Sequence, residues 1–264
     1  FSVIYHAFFR WNGADINEFV GLDNFVELIA SDRLFWQGCY NLLFFVAAAA
    51  IKMIPPIVIA VVMFRLASRR AQYCYRVLFV VPVVIPGMVI MLLWKFIYNY
   101  DIGLLNRLLR AVMPWADLTR NWLGDPQVAI WALIFLGFPW VSTIGVLIYL
   151  AGLQSIPESV LEAATLDGVG SLRRFFHIEL PLIAGQVRLN VILMTIGVIQ
   201  NFGLQLLLTD GGPGQATLVP GLHMYHNAFV YSRMGYASAI GVVLFLVILG
   251  LTFMNTRLIR ERTG

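Results

Sequence analysis

Five stretches of this sequence are long and apolar enough to cross a bilayer as helices: 41–64, 77–98, 127–149, 181–208 and 234–255. A spanning helix needs about 20 mostly apolar residues to cross ~30 Å of hydrocarbon, and repeating such runs leaves few folds open. Residues 1–9 are also apolar but too short alone. They read as the outer end of a first helix that begins before this sequence, and not as a signal peptide. Hydrophobic residues make up 60% of the chain and charged ones 12%, where soluble domains average about 45–50% and about 25%. The expectation is an all-α integral membrane protein forming one transmembrane domain over 1–264.

The charges fall between the runs and orient them. Arg65, Arg69, Arg70, Arg76, Arg173, Arg174, Arg188, Arg257, Arg260 and Arg262 share one side. Arg10, Arg33, Arg107, Arg110, Arg120 and Arg233 lie on the other, with nine carboxylates around them. The excess of arginine near span ends marks the cytoplasmic side, which then holds 150–180 and the C-terminus. A net charge of +4 distributed this way is a membrane-orientation signal and not a nucleic-acid footprint. On the outer side, 10–37 is polar and acidic with a short helix capped by Asp23, and a surface helix is expected around 104–112.

Several chemistries find no support. A phosphate-binding loop needs glycines leading into Gly-Lys-Ser/Thr, but the two lysines, Lys52 and Lys95, follow Ile51 and Trp94. If ATP drives this protein, a separate chain binds it, with Mg, and no cofactor is expected here. His223 and His226 form an H-x-x-H without a third ligand, so no metal site is expected. Cys39 and Cys74 fall on opposite faces of the membrane and cannot pair. No nucleophile motif appears, and the chain does not read as an enzyme.

The loop 150–180 is unusually rich in helix signals. Ser155 and Glu158 have capping-box spacing with Pro157 in the first turn, and Gly168 and Gly170 would stop the helix that follows. Ser171 would cap a further turn or two through Ile178, and Leu180 before Pro181 suits the start of the next span. Small residues at Ala163 and Ala164 would let another surface approach closely. Glu162 can pair with a cation on that surface, while Asp167, Arg173 and Arg174 offer charge that serves equally as a rim contact or as a solvated or headgroup-facing fringe.

The order Glu162-Ala163-Ala164, three residues, Gly168, nine residues, Ile178, one residue, Leu180-Pro181 resembles the loop of permease subunits of ATP-binding-cassette importers, with every spacing kept. Gly21–Phe25, Gly152–Pro157, Leu208–Pro213 with Thr217, and Gly235–Ala239 look like the maltose-type carbohydrate-uptake permeases, in particular the first of their two non-identical subunits. Gly203 departs from that pattern, where many relatives have Asp after the Phe. The resemblance implies a type I importer bundle in the bacterial inner membrane with a cytoplasmic coupling helix between the span at 127–149 and that at 181–208. It implies docking of this loop into an ATPase dimer, pairing with a second permease subunit, and delivery of a sugar by an extracytoplasmic binding protein. Other cargo in the same machinery, such as a glycerophosphodiester or an amino acid, remains open, as does a transporter without an ATPase.

Polar side chains inside the apolar runs are the candidate solute path, since they are costly against lipid. At ~100° per residue, Asn190, Met194, Gly197, Asn201 and Gln205 share one stripe, with Gln200 and Thr195 nearby. Uncharged hydrogen-bonding groups suit sugar hydroxyls, and they suit helix–helix contacts equally. Phe138 and Trp140 flank Pro139 mid-run and could stack on a sugar ring, whereas Trp94, Tyr98 and Trp131 sit near run ends as interfacial aromatics do. Lys52 is a cation midway along the run 41–64, three residues before Pro55-Pro56. It could face an anionic sugar or a partner's carboxylate, or snorkel.

Overall fold

The computed structural model describes residues 1–66, 68–116 and 118–258. Arg260 and Arg262, counted above among the cytoplasmic cations, and Asp117, one of the nine carboxylates, lie outside the described residues.

The chain is helical almost throughout. After α1 (Ser2–His6), β1 (Phe9–Trp11) and β2 (Asn17–Phe19), it runs through α2 (Asp23–Ala30), α3 (Arg33–Lys52), α4 (Ile54–Phe64), α5 (Arg69–Val80), α6 (Gly87–Ile97) and α7 (Leu104–Val112). The second half holds α8 (Ala129–Phe135), α9 (Thr143–Gln154), α10 (Glu158–Leu166), α11 (Ser171–Arg174), α12 (Leu180–Leu182), α13 (Ala184–Gln200), α14 (Gly203–Leu208), α15 (Pro220–Tyr225) and α16 (Met234–Leu258). By length and composition, Arg33–Phe64 and Met234–Arg257 can cross a membrane, and three bent helix pairs raise the total to five if each pair is one span.

Two long apolar runs are less continuous than the sequence suggests. The run 127–149 unwinds between α8 and α9 around Gly137–Trp140, where glycine, proline and a left-handed Trp140 (φ +58°) interrupt the hydrogen-bond ladder. The run 181–208 breaks between α13 and α14 at Asn201-Phe202, so Asn201 and Gln205 do not continue the α13 stripe. The strictly all-α expectation also gives way at the N-terminus. There β1 and β2 pair antiparallel, Phe9 opposite Phe19, across a turn whose Asn12 side chain accepts from the N–H groups of Ala14 and Ile16.

The contacts divide the chain into two compact units. The first comprises Phe1–Ala48, Pro86–Leu136 and Ile196–Gly250. Its helix α2 begins after Leu22, with Asp23 in the first turn and not at the cap. Asn24 does the tethering instead, donating to Ala7 O at 2.9 Å and Phe9 O at 3.0 Å. Leu28, Phe35, Tyr236 and Ile240 form one buried cluster. Residues 209–233, which join the apolar runs 181–208 and 234–255, contain α15 and a π-helical turn, His226–Val230. Asn41 ties it to α3 through Gln215 O and Leu218 O, and Gly38 admits Pro220 so closely that an added Cβ would lie 3.0 Å from its nitrogen. Asp32 accepts from Tyr236 and bonds His223 at 2.6 Å. Burial opposes ionisation of Asp32, but the bonds from Tyr236, the Phe35 N–H and His223 outweigh it and hold the carboxyl below its ordinary value.

The second unit comprises Ala49–Ile85, Gly137–Thr195 and, among the described residues, 251–258. Here α4 packs along α9 around a core of Ala60, Met63, Val146, Tyr149, Leu150, Leu153 and Ile183. Ser142 caps α9 by accepting from Gly145 N–H, and Thr143 donates to Phe79 O at 2.6 Å. This core carries the loop 150–180.

Candidate functional site

The loop is built around α10, and its first turn differs from the sequence reading. Ser155 does not cap α10, because α9 extends to Gln154 and the Ser155 hydroxyl donates back to Gly152 O at 2.7 Å. Pro157 occupies the cap position without a side-chain bond. The far end agrees with expectation. Asp167 closes the helix, Gly168 turns left-handed at φ +67°, and the N–H groups of Gly168 and Val169 return to Thr165 O and Ala164 O. That is the Schellman arrangement, and it requires a residue at ease with positive φ.

The two alanines of α10 separate. Val160, Leu161 and Ala164 are three and four residues apart and share the face that meets the core, so Ala164 is 3% exposed. Ala164 is therefore a packing residue and not part of an approachable surface, while Glu162 and Ala163 remain exposed with Asp167, Gly168 and Arg173. The outward surface also carries two leucines the sequence reading passed over, Leu166 and Leu172, at 88% and 75% exposure. Apolar side chains this bare, beside exposed Glu162 and Ala163, make a surface suited to a protein partner.

The return arm is a continuous helical segment. Gly170, not Ser171, takes the cap position of α11, and the helix passes through a π-helical turn, Phe175–Glu179, into α12. A π turn adds one residue per hydrogen-bonded ring and rotates the facing of the residues beyond it. Glu179 ends up fully buried, held by Arg65 Nη2 at 2.8 Å and Arg174 Nε at 2.7 Å, and Arg65 also donates to Ser171 O. Arg174 is thus an internal clamp and not a free fringe charge. Glu179 itself went unnoticed in the sequence. Its only signal was a carboxylate between Ile178 and Leu180 at the edge of an apolar run. A cavity of about 630 Å³, lined by Gln72, Tyr73, Arg76, Gln154, Glu158 and Leu161 among others, borders α10. None of the candidate solute-path residues is among the residues lining it.

The candidate solute-path residues fall into the two units. In the second, Asn190 lies beside Tyr149 with its amide nitrogen buried and unpartnered, while the Thr195 hydroxyl bonds Val191 O within its own helix at 2.8 Å. Lys52 ends α3, and its Nζ stands 5.6 Å from the Trp140 ring centroid. Phe138 meets Trp140 edge-on at 5.2 Å. In the first unit, Asn201 is exposed and accepts from Gly203 N–H, and Gln205 is buried with an unpartnered Oε1. Gln200 is exposed at the end of α13. His223 and His226 turn to different carboxylates, Asp32 and Asp210.

Comparison with known proteins gives a consistent family. Residues 56–263 match the family described as binding-protein-dependent transport system inner membrane component. A probable ABC transporter permease of Bacillus subtilis (strain 168), YurN, is 36% identical over 97% of this chain and 88% of that protein. The sulfoquinovosyl glycerol transport system permease SmoG of Agrobacterium fabrum is 30% identical over 93% of this chain and 78% of that protein. Among solved structures, a chain of a bacterial ABC transporter that imports the acidic polysaccharide alginate superposes with TM-score 0.80 at 20% identity, covering 93% of this chain and 85% of that one.

Proposed function

Because the chain belongs to the family of inner membrane components of binding-protein-dependent transport systems, we propose that it is the membrane-spanning subunit of an ATP-driven sugar importer. The family supplies the transport role. The cargo class rests on the segments Gly152–Pro157 and Leu208–Pro213 and on the sugar conjugate named for a 30%-identical relative. The subunit performs no covalent chemistry. ATP and Mg belong to a partner ATPase dimer, a second homologous permease completes the pathway, and a solute-binding protein delivers cargo on the outer face.

In this reading the chain contributes five complete spans, with 150–180 and the C-terminus in the cytoplasm, as the arginine distribution indicates. The observation that carries the mechanism is α10, an exposed helix with a left-handed stop at Gly168, tied through Glu179 to Arg65 at the end of α4. Glu162, Ala163, Asp167, Gly168 and Arg173, joined by Leu166 and Leu172, would dock on the ATPase. Movement of that subunit would then pass through the Arg65–Glu179–Arg174 clamp to the spanning helices, giving alternating access. Asn190, Thr195, Gln200, Asn201, Gln205, Phe138, Trp140 and Lys52 are the proposed solute contacts.

The test is ATP turnover by the complex purified with its partner subunits, with and without sugar-loaded binding protein. Glu162→Lys and Gly168→Pro are expected to abolish stimulation and weaken ATPase association. Unchanged turnover in both would remove the loop as the coupling element.

A further inference from the structure

We propose that Lys52 and Trp140 form a subsite for an anionic group, a carboxylate, sulfonate or phosphate, on the transported solute. The proposal rests on the reading of the chain as an importer permease and extends it to the charge of its cargo.

Position makes Lys52 unusual. It lies within the 32-residue apolar stretch Arg33–Phe64, twelve residues from the Phe64 end. At ~1.5 Å per helical residue that is ~18 Å, beyond the reach of a lysine stem to the interface. Snorkelling therefore does not account for it. A cation at such depth faces a protein partner or a water-filled path.

Its surroundings supply no anion: Lys52 forms no ion pair and donates no hydrogen bond among the described residues. Its neighbour is the face of Trp140, a cation–π contact that steadies the ammonium while leaving its three donors available. The contrast with Glu179 is informative, since that buried carboxylate holds two guanidinium groups at hydrogen-bond distance.

Both residues sit at interruptions of the backbone. Lys52 is the last residue of α3, before Met53 and the Pro55-Pro56 start of α4. Trp140 has φ +58° in the unwound stretch between α8 and α9, with Phe138 edge-on to its ring. Discontinuous helices at membrane depth are where transporters expose backbone and side-chain polar groups to solute. A cation held over an indole, with a second aromatic ring beside it, fits an anionic sugar: charge to Lys52, apolar ring face to Phe138 and Trp140.

The experiment measures binding of three labelled probes to the assembled complex in nanodiscs: a neutral disaccharide, the corresponding hexuronate disaccharide, and glycerol phosphate. Wild type is compared with Lys52→Gln and Lys52→Arg, and retention of the partner subunits is monitored. The expected result is tighter binding of the hexuronate than of the neutral disaccharide. Lys52→Gln should weaken it about tenfold or more, the scale of one charge-assisted hydrogen bond, weaken the neutral probe several-fold less, and be rescued by arginine. Equal weakening of neutral and anionic probes would make Lys52 a packing residue and overturn the proposal. Loss of the second permease from Lys52→Gln would do the same by assigning the cation to a subunit contact. Preference of wild type for the neutral disaccharide would remove the anion subsite and leave the sugar importer standing. Binding of glycerol phosphate alone, with the same dependence on Lys52, would retain the subsite and overturn the sugar reading.

Discussion

The Arg65–Glu179–Arg174 clamp makes an expectation whose sign is counter-intuitive. Glu179 is fully buried, whereas the side chains of Arg65 and Arg174 are 27% and 22% exposed. Removing the carboxylate therefore leaves two cations that already reach water, and removing a cation leaves a buried anion with half its compensation. Breaking a buried ion pair from one side costs ~3–5 kcal/mol, while replacing all charged members by apolar ones is often neutral. Arg174→Met, which keeps Arg65 in place, should cost about 3 kcal/mol, at the low end of that range. Glu179→Met should cost about 1 kcal/mol, since it removes only the net worth of hydrogen bonds whose donors become resolvated. The double variant Arg174→Met/Glu179→Met should be more stable than Arg174→Met alone, a coupling of about 2 kcal/mol.

Thermal unfolding of the solubilised complex reads these differences, with Arg174→Met shifted down by on the order of 10 °C at ~2–4 °C per kcal/mol. Binding-protein stimulation of ATP turnover reads a separate quantity. Glu179→Met should fold well yet lose most of the stimulation, because the return arm of the loop then keeps only the Arg65–Ser171 O bond to α4. If Glu179→Met is the most destabilised of the three and the double variant shows no rescue, the asymmetry of burial does not govern this site and the reasoning fails.

Gly168→Val should destabilise by about 1–2 kcal/mol, because nothing crowds its Cβ and the penalty is that of a left-handed β-branched residue at φ +67°; Gly168→Asn should be milder, as read by ATPase co-purification. Ala164→Leu should cost about 1–3 kcal/mol in unfolding through overpacking, whereas Ala163→Leu should leave unfolding unchanged and impair only ATPase association. Because the Asp32 carboxyl is held below its ordinary value, its contribution to stability is present above the ordinary carboxylate range and is lost as pH falls through the lowered one; Asp32→Asn should flatten the acid limb of the unfolding-versus-pH curve. Asn24→Ala should loosen the N-terminal hairpin, seen as faster amide exchange at Phe9–Trp11, since its amide bonds go to Phe9 in β1 and to Ala7 just before it.

What could be read from the sequence was local. Leu104–Val112 is the helix expected there, because strong amphipathic spacing follows Gly103, and the stop at Gly168 needs only glycine's tolerance of positive φ. The features missed depend on partners far along the chain. Glu179 meets Arg65 across 114 residues, and Asp32 meets His223 and Tyr236 across 191 and 204. Nothing near Glu179 or Asp32 foretells those encounters. Intermediate cases are also physical. The stripe through Asn190 assumed one unbroken helix, but the Asn201 side chain satisfies the Gly203 N–H and so favours a new helix start over continuation. The π turn at Phe175–Glu179 has no compositional mark, and it decides which way Glu179 faces.

Two charges in apolar stretches of the second unit, the buried Glu179 and the half-buried Lys52, are treated in opposite ways, and the difference bears on their roles. Glu179 is matched with two cations at 2.8 and 2.7 Å, which fixes its place and removes any use for an outside ligand. A carboxylate so saturated can transmit position but cannot bind. Lys52 meets only an aromatic face at 5.6 Å, so its charge remains uncompensated by the described residues. Desolvating a lone cation is costly enough that chains retain one at depth only where something else completes it. Compensation built into the chain is the mark of a mechanical joint, and compensation left open is the mark of a contact to be made. On that ground Glu179 belongs to the path of coupling and Lys52 to the path of the solute, although each is one charged residue in an apolar setting and the sequence alone does not tell them apart.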